Sequence, residues 1–125
     1  MNRITDRMKI GTVGELLVQL RLLEHDIQAA PPIKDSGNDL IAVKGNTFKA
    51  IQVKTVTGSS YSKPAPGREY HILAVVHLHG DEDKVLLDES PVFMIPRAQV
   101  DALSIQISEL EAFRISAAHL NSLFS

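Results

Sequence analysis

Asp39, Gln52 and Lys54 bring a carboxylate, an amide and an ammonium into one short stretch of the chain. Carboxylate and amide oxygens are hard donors that suit a divalent cation. An ammonium beside them can stabilise negative charge that develops in a reaction. The surrounding residues, 36–55, run SGNDLIAVKGNTFKAIQVKT. Two apolar-rich segments flank Gly45-Asn46, a dipeptide suited to a type II′ hairpin turn because glycine supplies the positive φ of the first central position. With those two residues as the loop, Lys44 faces Thr47, and counting back sets Asp39 opposite Gln52. Side chains alternate along a strand, so Gln52 and Lys54 share a face. A four-residue loop would pair Asp39 with Lys54 instead and still keep all three together.

Periodicity supplies the elements that hold this hairpin. Residues 11–25 carry Val13, Leu16, Leu17, Leu20 and Leu23 at helical spacing, a core-facing stripe, with Val18 and Leu22 adding apolar cover on the far side. Glu15 lies on that helix. The run Ala29-Ala30-Pro31-Pro32 is an extended connector. Residues 58–68, polar and interrupted by two prolines, form a long loop, a feature that is often functional or mobile. A third strand spans 70–79, and Asp81-Glu82-Asp83 makes a solvated hairpin tip. Residues 85–87 and 92–95 are two further short strands. Pro96 opens a helix near 97–103, and 116–124 forms a last amphipathic helix that packs Leu120, Leu123 and Phe124 on the core. The order predicts an α/β (α+β) fold, a central sheet flanked by helices.

The 125 residues make one domain, 1–125. No apolar run approaches the ~20 residues of a membrane span, and no signal-peptide pattern opens the chain. The absence of cysteine excludes disulfides, thiolate zinc sites and cysteine nucleophiles, and suits a cytoplasmic protein. Net charge is −2, but the distribution is uneven: residues 1–68 hold ten Lys/Arg against six Asp/Glu, and 69–125 hold three against nine. The hairpin therefore lies in the basic half, with Lys34, Lys49, Lys63 and Arg68 as candidates for contact with nucleic-acid phosphates.

Glu15 in a helix, then Gly37-Asn38-Asp39-Leu40, then Ile51-Gln52-Val53-Lys54-Thr55 resembles the PD-(D/E)xK nuclease superfamily, in its Holliday-junction resolvase and small homing endonuclease branch. The resemblance covers residues 11–55. It implies a restriction-endonuclease-like core with a mixed sheet of about four to five strands. It also implies a Mg²⁺ (or Mn²⁺)-dependent DNA endonuclease, with Asp39 as central metal ligand, Lys54 as catalytic lysine, Gln52 in the place of the second acid and Glu15 as the helix carboxylate joining the metal. The family's chemistry needs these types because phosphodiester hydrolysis builds charge on the phosphoryl oxygens, which a cation offsets. Two positions depart from the pattern. Gln52 replaces an acid and lowers the charge of the site, and Asn38 precedes the aspartate where proline is usual.

So compact a domain has little surface for reading sequence, which points to a homodimer or larger homo-oligomer, each protomer cutting one strand, or to reliance on DNA structure. The alternative is a catalytically inactive nuclease-fold module that binds nucleic acid or a protein partner. His77 and His79 share a strand face but lack a third ligand of suitable spacing for zinc. No Gly-x-Gly-x-x-Gly, P-loop or Gly-x-Ser-x-Gly pattern is present, which argues against dinucleotide, nucleoside-triphosphate and serine-hydrolase chemistry.

Overall fold

The computed structural model describes residues 6–33, 39–81 and 84–125. Helix α1 spans Asp6–Leu23, and β1 (Gln28–Ala30), β2 (Leu40–Lys44), β3 (Thr47–Val56) and β4 (Ile72–His77) follow. A small hairpin, β5 (Gly80–Asp81) with β6 (Lys84–Val85), precedes β7 (Val92–Pro96), α2 (Arg97–Val100) and α3 (Ala117–Leu123). The main sheet has five strands in the order β1-β2-β3-β4-β7. All its pairs are antiparallel except β3–β4, so it is mixed. Among the described residues no helix is long and apolar enough to cross a membrane.

The hairpin has the expected register. Lys44 pairs with Thr47 and Leu40 with Ile51, which leaves Gly45 and Asn46 as the loop. Gly45 takes a φ of 59°, the value its place in the turn demands. The connector through Ala29 and Ala30 is instead an edge strand. Three residues ending in two prolines are too few to show alternation, and β1 forms because the outer edge of β2 offers it partners. Residues 85–87 do not form a full strand; β6 ends at Val85 and a 3₁₀ turn takes over at Leu87–Glu89. Of the hairpin tip expected at Asp81-Glu82-Asp83, residues 82 and 83 lie outside the described residues.

β4 (ILAVVH) is buried on both faces, as suits a strand with a parallel neighbour and cover above and below. One face of the sheet packs Ile51, Ile72, Ala74 and Met94 against Leu17, Val18 and Leu22 of α1 and against Leu120 and Phe124 at the C-terminus. The other face packs Leu73, Val75, Phe93 and Ile95 under Tyr61, Val100, Ile107 and Leu110. The long loop is anchored there. Tyr61 is buried, its N–H donates to Ile105 O and its hydroxyl to Ser104 O.

The helical stripe is rotated from the sequence expectation. Leu16, Leu20 and Leu23 stay 58%, 43% and 57% exposed, while Val18 and Leu22, which the periodicity puts on the far side, are buried with Leu17. The cause is steric. A Cβ on Gly14 would lie 1.7 Å from Thr55 Oγ1, so α1 rests its glycine directly on β3 and that contact decides which side chains are covered. The helix then stops in a Schellman turn. Asp26 adopts a φ of 62°, and Ile27 N–H donates back to Leu22 O at 3.0 Å.

Gly14→Ala should therefore destabilise the protein by about 1–3 kcal/mol through overpacking, although Ala gains about 1 kcal/mol over Gly in helix propensity. Urea denaturation of Gly14→Ala, Thr55→Gly, which removes every side-chain atom the new Cβ would meet, and the double variant checks the cause. Relief of the clash in the double variant gives non-additive losses, whereas a purely local helix effect leaves them additive.

Candidate active site

Strand β3 continues beyond the end of β2, and Asp39 stands where the two part. Its N–H donates to Ile51 O at 2.9 Å. Its Oδ2 accepts from the Val53 N–H at 2.8 Å and from Gln52 Nε2 at 3.0 Å. The carboxylate thus takes the partner role that β2 no longer supplies to Val53. Gln52 is 9% exposed, and with its nitrogen committed to Asp39 its Oε1 is buried without a hydrogen-bond partner among the described residues. A buried carbonyl oxygen left unpaired carries a desolvation penalty that a cation or a donor would relieve.

Glu15 enters from α1, one residue past the Gly14–Thr55 contact. Its carboxyl is held above the usual carboxylate range, first by burial and then by the negative charge of Asp39. The negative charge of Asp39 therefore reaches Glu15. Among the described residues no three His, Cys, Asp or Glu side chains cluster to hold an ion, so a site here would draw on the Asp39 carboxylate, the Gln52 amide oxygen and, from the α1 side, the Glu15 carboxylate. Those oxygens fit a hard divalent cation, with less charge than a site of three acids.

Lys54 lies two residues beyond Gln52 on β3. Val53 and Thr55 belong to the α1 side, so alternation puts Lys54 with Gln52 on the opposite face. It is half-buried, and among the described residues no hydrogen bond or ion pair holds its ammonium.

Of the basic residues expected at phosphates, Lys34 lies outside the described residues. Lys49 is half-buried at the start of β3, Arg68 is exposed in the long loop, and Lys63 Nζ donates to Asp101 O at 3.3 Å. Lys49 lines an open cleft with Tyr70, His71 and Arg97. Arg97 carried no signal of function in the sequence because it sits in the acidic half of the chain. His71 precedes β4 and accepts a hydrogen bond from the Ala50 N–H, away from the His77–His79 pair, whose rings lie 4.3 Å apart.

The Glu15 charge has a consequence for stability. Its pKa is higher folded than unfolded, so the folded state binds the proton more tightly and stability falls as pH rises through that window. Without divalent cations, Glu15→Gln should raise Tm at neutral pH, and the gain should shrink as the pH falls towards the ordinary glutamate value and vanish below it. Thermal melts in chelator across pH 4 to 8 (roughly the window set by a raised carboxylate) test this. A variant no more stable at pH 7 would show that Glu15 is not electrostatically burdened.

No family model matches the sequence, and no curated protein matches it. Among solved structures, the fold is similar to that of a bacterial homing endonuclease, I-Ssp6803I, with a TM-score of 0.67 at 14% identity, over 96% of this chain and 93% of that one. The five-strand mixed sheet and helices of this chain are consistent with a nuclease-like core.

Proposed function

We propose that this chain, built on the fold of a homing endonuclease, is a metal-dependent DNA endonuclease of the PD-(D/E)xK type with a Gln-x-Lys variant site. The carrying observation is the buried Gln52 Oε1, unpartnered among the described residues and beside the Asp39 carboxylate, whose negative charge also reaches Glu15. Such a cluster is costly as it stands and is relieved by a divalent cation such as Mg²⁺ or Mn²⁺. Glu15, Asp39 and Gln52 would hold the ion, which would supply positive charge against the phosphoryl oxygens. Val53 N–H and Gln52 Nε2 fix the Asp39 rotamer, so one carboxylate edge is pinned and the other is left for the ligand. Lys54, on the Gln52 face and without a partner of its own among the described residues, is placed to counter charge on the scissile phosphate or to orient the attacking water.

Lys34, Lys49, Lys63 and Arg68 would contact the DNA backbone. A single site per 125-residue chain cuts one strand, so double-strand cleavage needs a homodimer or larger assembly in the cytoplasm. The test is incubation of supercoiled plasmid and of branched DNA with Mg²⁺ or Mn²⁺. Nicking or linearisation that requires metal, Asp39 and Lys54 supports the proposal; cleavage that survives Asp39→Ala and Lys54→Ala defeats it.

One observation favours a second reading, an inactive nucleic-acid- or partner-binding module. Gln52 already satisfies Asp39 through its own amide, a metal-free arrangement that a third acid could not make. Isothermal titration separates the two. Mg²⁺ or Mn²⁺ heat that vanishes in Asp39→Asn supports the enzyme, whereas DNA binding without metal binding supports the module.

A further inference from the structure

An open cleft of about 740 Å³ lies at the other end of β3 from Lys54, walled by Lys49, Pro64, Tyr70, His71 and Arg97, with Asp101 on its rim. We propose that this cleft is a docking subsite for a backbone phosphate of the DNA strand that enters the Asp39 site, with Arg97 and His71 as its principal donors. This rests on the nuclease reading of Asp39, and it assigns binding to residues outside that constellation.

Three observations carry it. First, the donors are held in place by the sheet. His71 N–H donates to Ala50 O at 2.8 Å and Arg97 N–H to His71 O at 2.9 Å, so the start of β3, the approach to β4 and the start of α2 are tied side by side. Second, the imidazole is oriented by the backbone. Ala50 N–H donates to His71 Nδ1 at 2.9 Å, which makes Nδ1 the acceptor and leaves Nε2–H as the donor of the neutral ring. Third, the Arg97 guanidinium lies over the Tyr70 ring, 4.7 Å from its centroid. Stacking restrains the plane of the fork while its edge N–H groups stay available to an anion, which suits phosphate recognition. Its one bond to protein there is a long 3.4 Å contact to Tyr70 O, and Arg97 remains exposed.

Position favours a nucleic-acid strand over a small anion. His71 is two residues before Leu73, the β4 partner of Gln52, so alternation puts it on the Gln52 face, about 7 Å along the sheet. That span matches roughly two nucleotides of axial rise along a DNA strand. A strand with its scissile phosphate at Asp39 thus reaches the cleft within a few phosphates. Asp101 is the one acidic residue in the lining, against Lys49 and Arg97, and its carbonyl accepts from Lys63, which brings a further ammonium to the rim.

The experiment measures fluorescence anisotropy of labelled duplex and branched DNA with Ca²⁺ over a range of salt, for wild type, Arg97→Ala, Arg97→Lys and Arg114→Ala. Arg114 is exposed and ion-paired with Glu111, so it controls for loss of one positive charge elsewhere. Arg97→Ala should weaken binding by about 10-fold and reduce the slope of log K against log salt by about 0.9, one phosphate contact. Arg97→Lys should restore the slope and recover only part of the affinity. Arg114→Ala should change neither. Matching effects of Arg97→Ala and Arg114→Ala, or wild-type binding by Arg97→Ala, would overturn the subsite while leaving the nuclease reading intact if plasmid is still cut in Mg²⁺. Arg97-dependent binding with no cleavage under any metal would keep the subsite and remove the nuclease reading. Failure of the wild type to bind DNA would remove both.

Discussion

Asp39→Asn is expected to slow metal-dependent DNA cleavage by about 10³-fold or more, the scale of losing a preorganised electrostatic contribution in an active site, while the fold survives. The exchange keeps an oxygen at the same place, so the Val53 N–H retains an acceptor where it now meets Oδ2 at 2.8 Å. The same oxygen goes on accepting from Gln52 Nε2, because both bonds meet Oδ2. Removing the Asp39 charge also takes away one of the two causes that raise Glu15. Stability should therefore change by less than about 1 kcal/mol, whereas Asp39→Ala strands the Val53 N–H and should cost about 1–3 kcal/mol. Comparing the two variants by plasmid cleavage and by thermal melt isolates chemistry from folding. An Asp39→Asn protein that melts like the wild type and still cuts at a tenth of its rate or better would show that this carboxylate is not the centre of the reaction.

Gln52→Glu should have opposite effects with and without divalent cations. In chelator the change removes the Nε2 donor that Asp39 now uses at 3.0 Å and sets a third carboxylate beside two that already repel. A loss on the order of 1–3 kcal/mol follows from the missing hydrogen bond and the added like charge. In millimolar Mg²⁺ or Mn²⁺ the same carboxylate is a stronger donor than an amide, so ion binding should recover the loss and tighten, in proportion to RT ln(1 + [L]/Kd). The measurement is the Tm difference between chelator and metal, which should be larger for Gln52→Glu than for wild type. Equal shifts for the two proteins would mean that residue 52 does not touch the ion.

The parts of this architecture legible in the chain are those governed by neighbours in sequence. The turn at Gly45-Asn46 rests on the φ freedom of one glycine, and from it strand alternation carries the register back to Asp39 and Gln52. The apolar run of β4 and the start of α2 after Pro96 are equally local signals. The rotation of α1 is not. Its leucines satisfy more than one helical stripe, and a single steric event at the far-off Thr55 selects among them. β1 escaped because its pairing depends on a free edge that exists only once β2 is laid down.

The candidate site divides along the same line. A tight turn and a period of two are enough to put Asp39, Gln52 and Lys54 on one ribbon, because strand geometry leaves few other placements. Tertiary packing alone brings Glu15 within reach of the Asp39 charge, leaves Gln52 Oε1 without a partner among the described residues, and gathers Lys49, His71 and Arg97 around one cleft. Those relations join residues far apart in the chain. Which of them meet depends on the close approach of α1 to β3 and on the parallel pairing of β3 with β4, contacts for which no short stretch of sequence carries a signal.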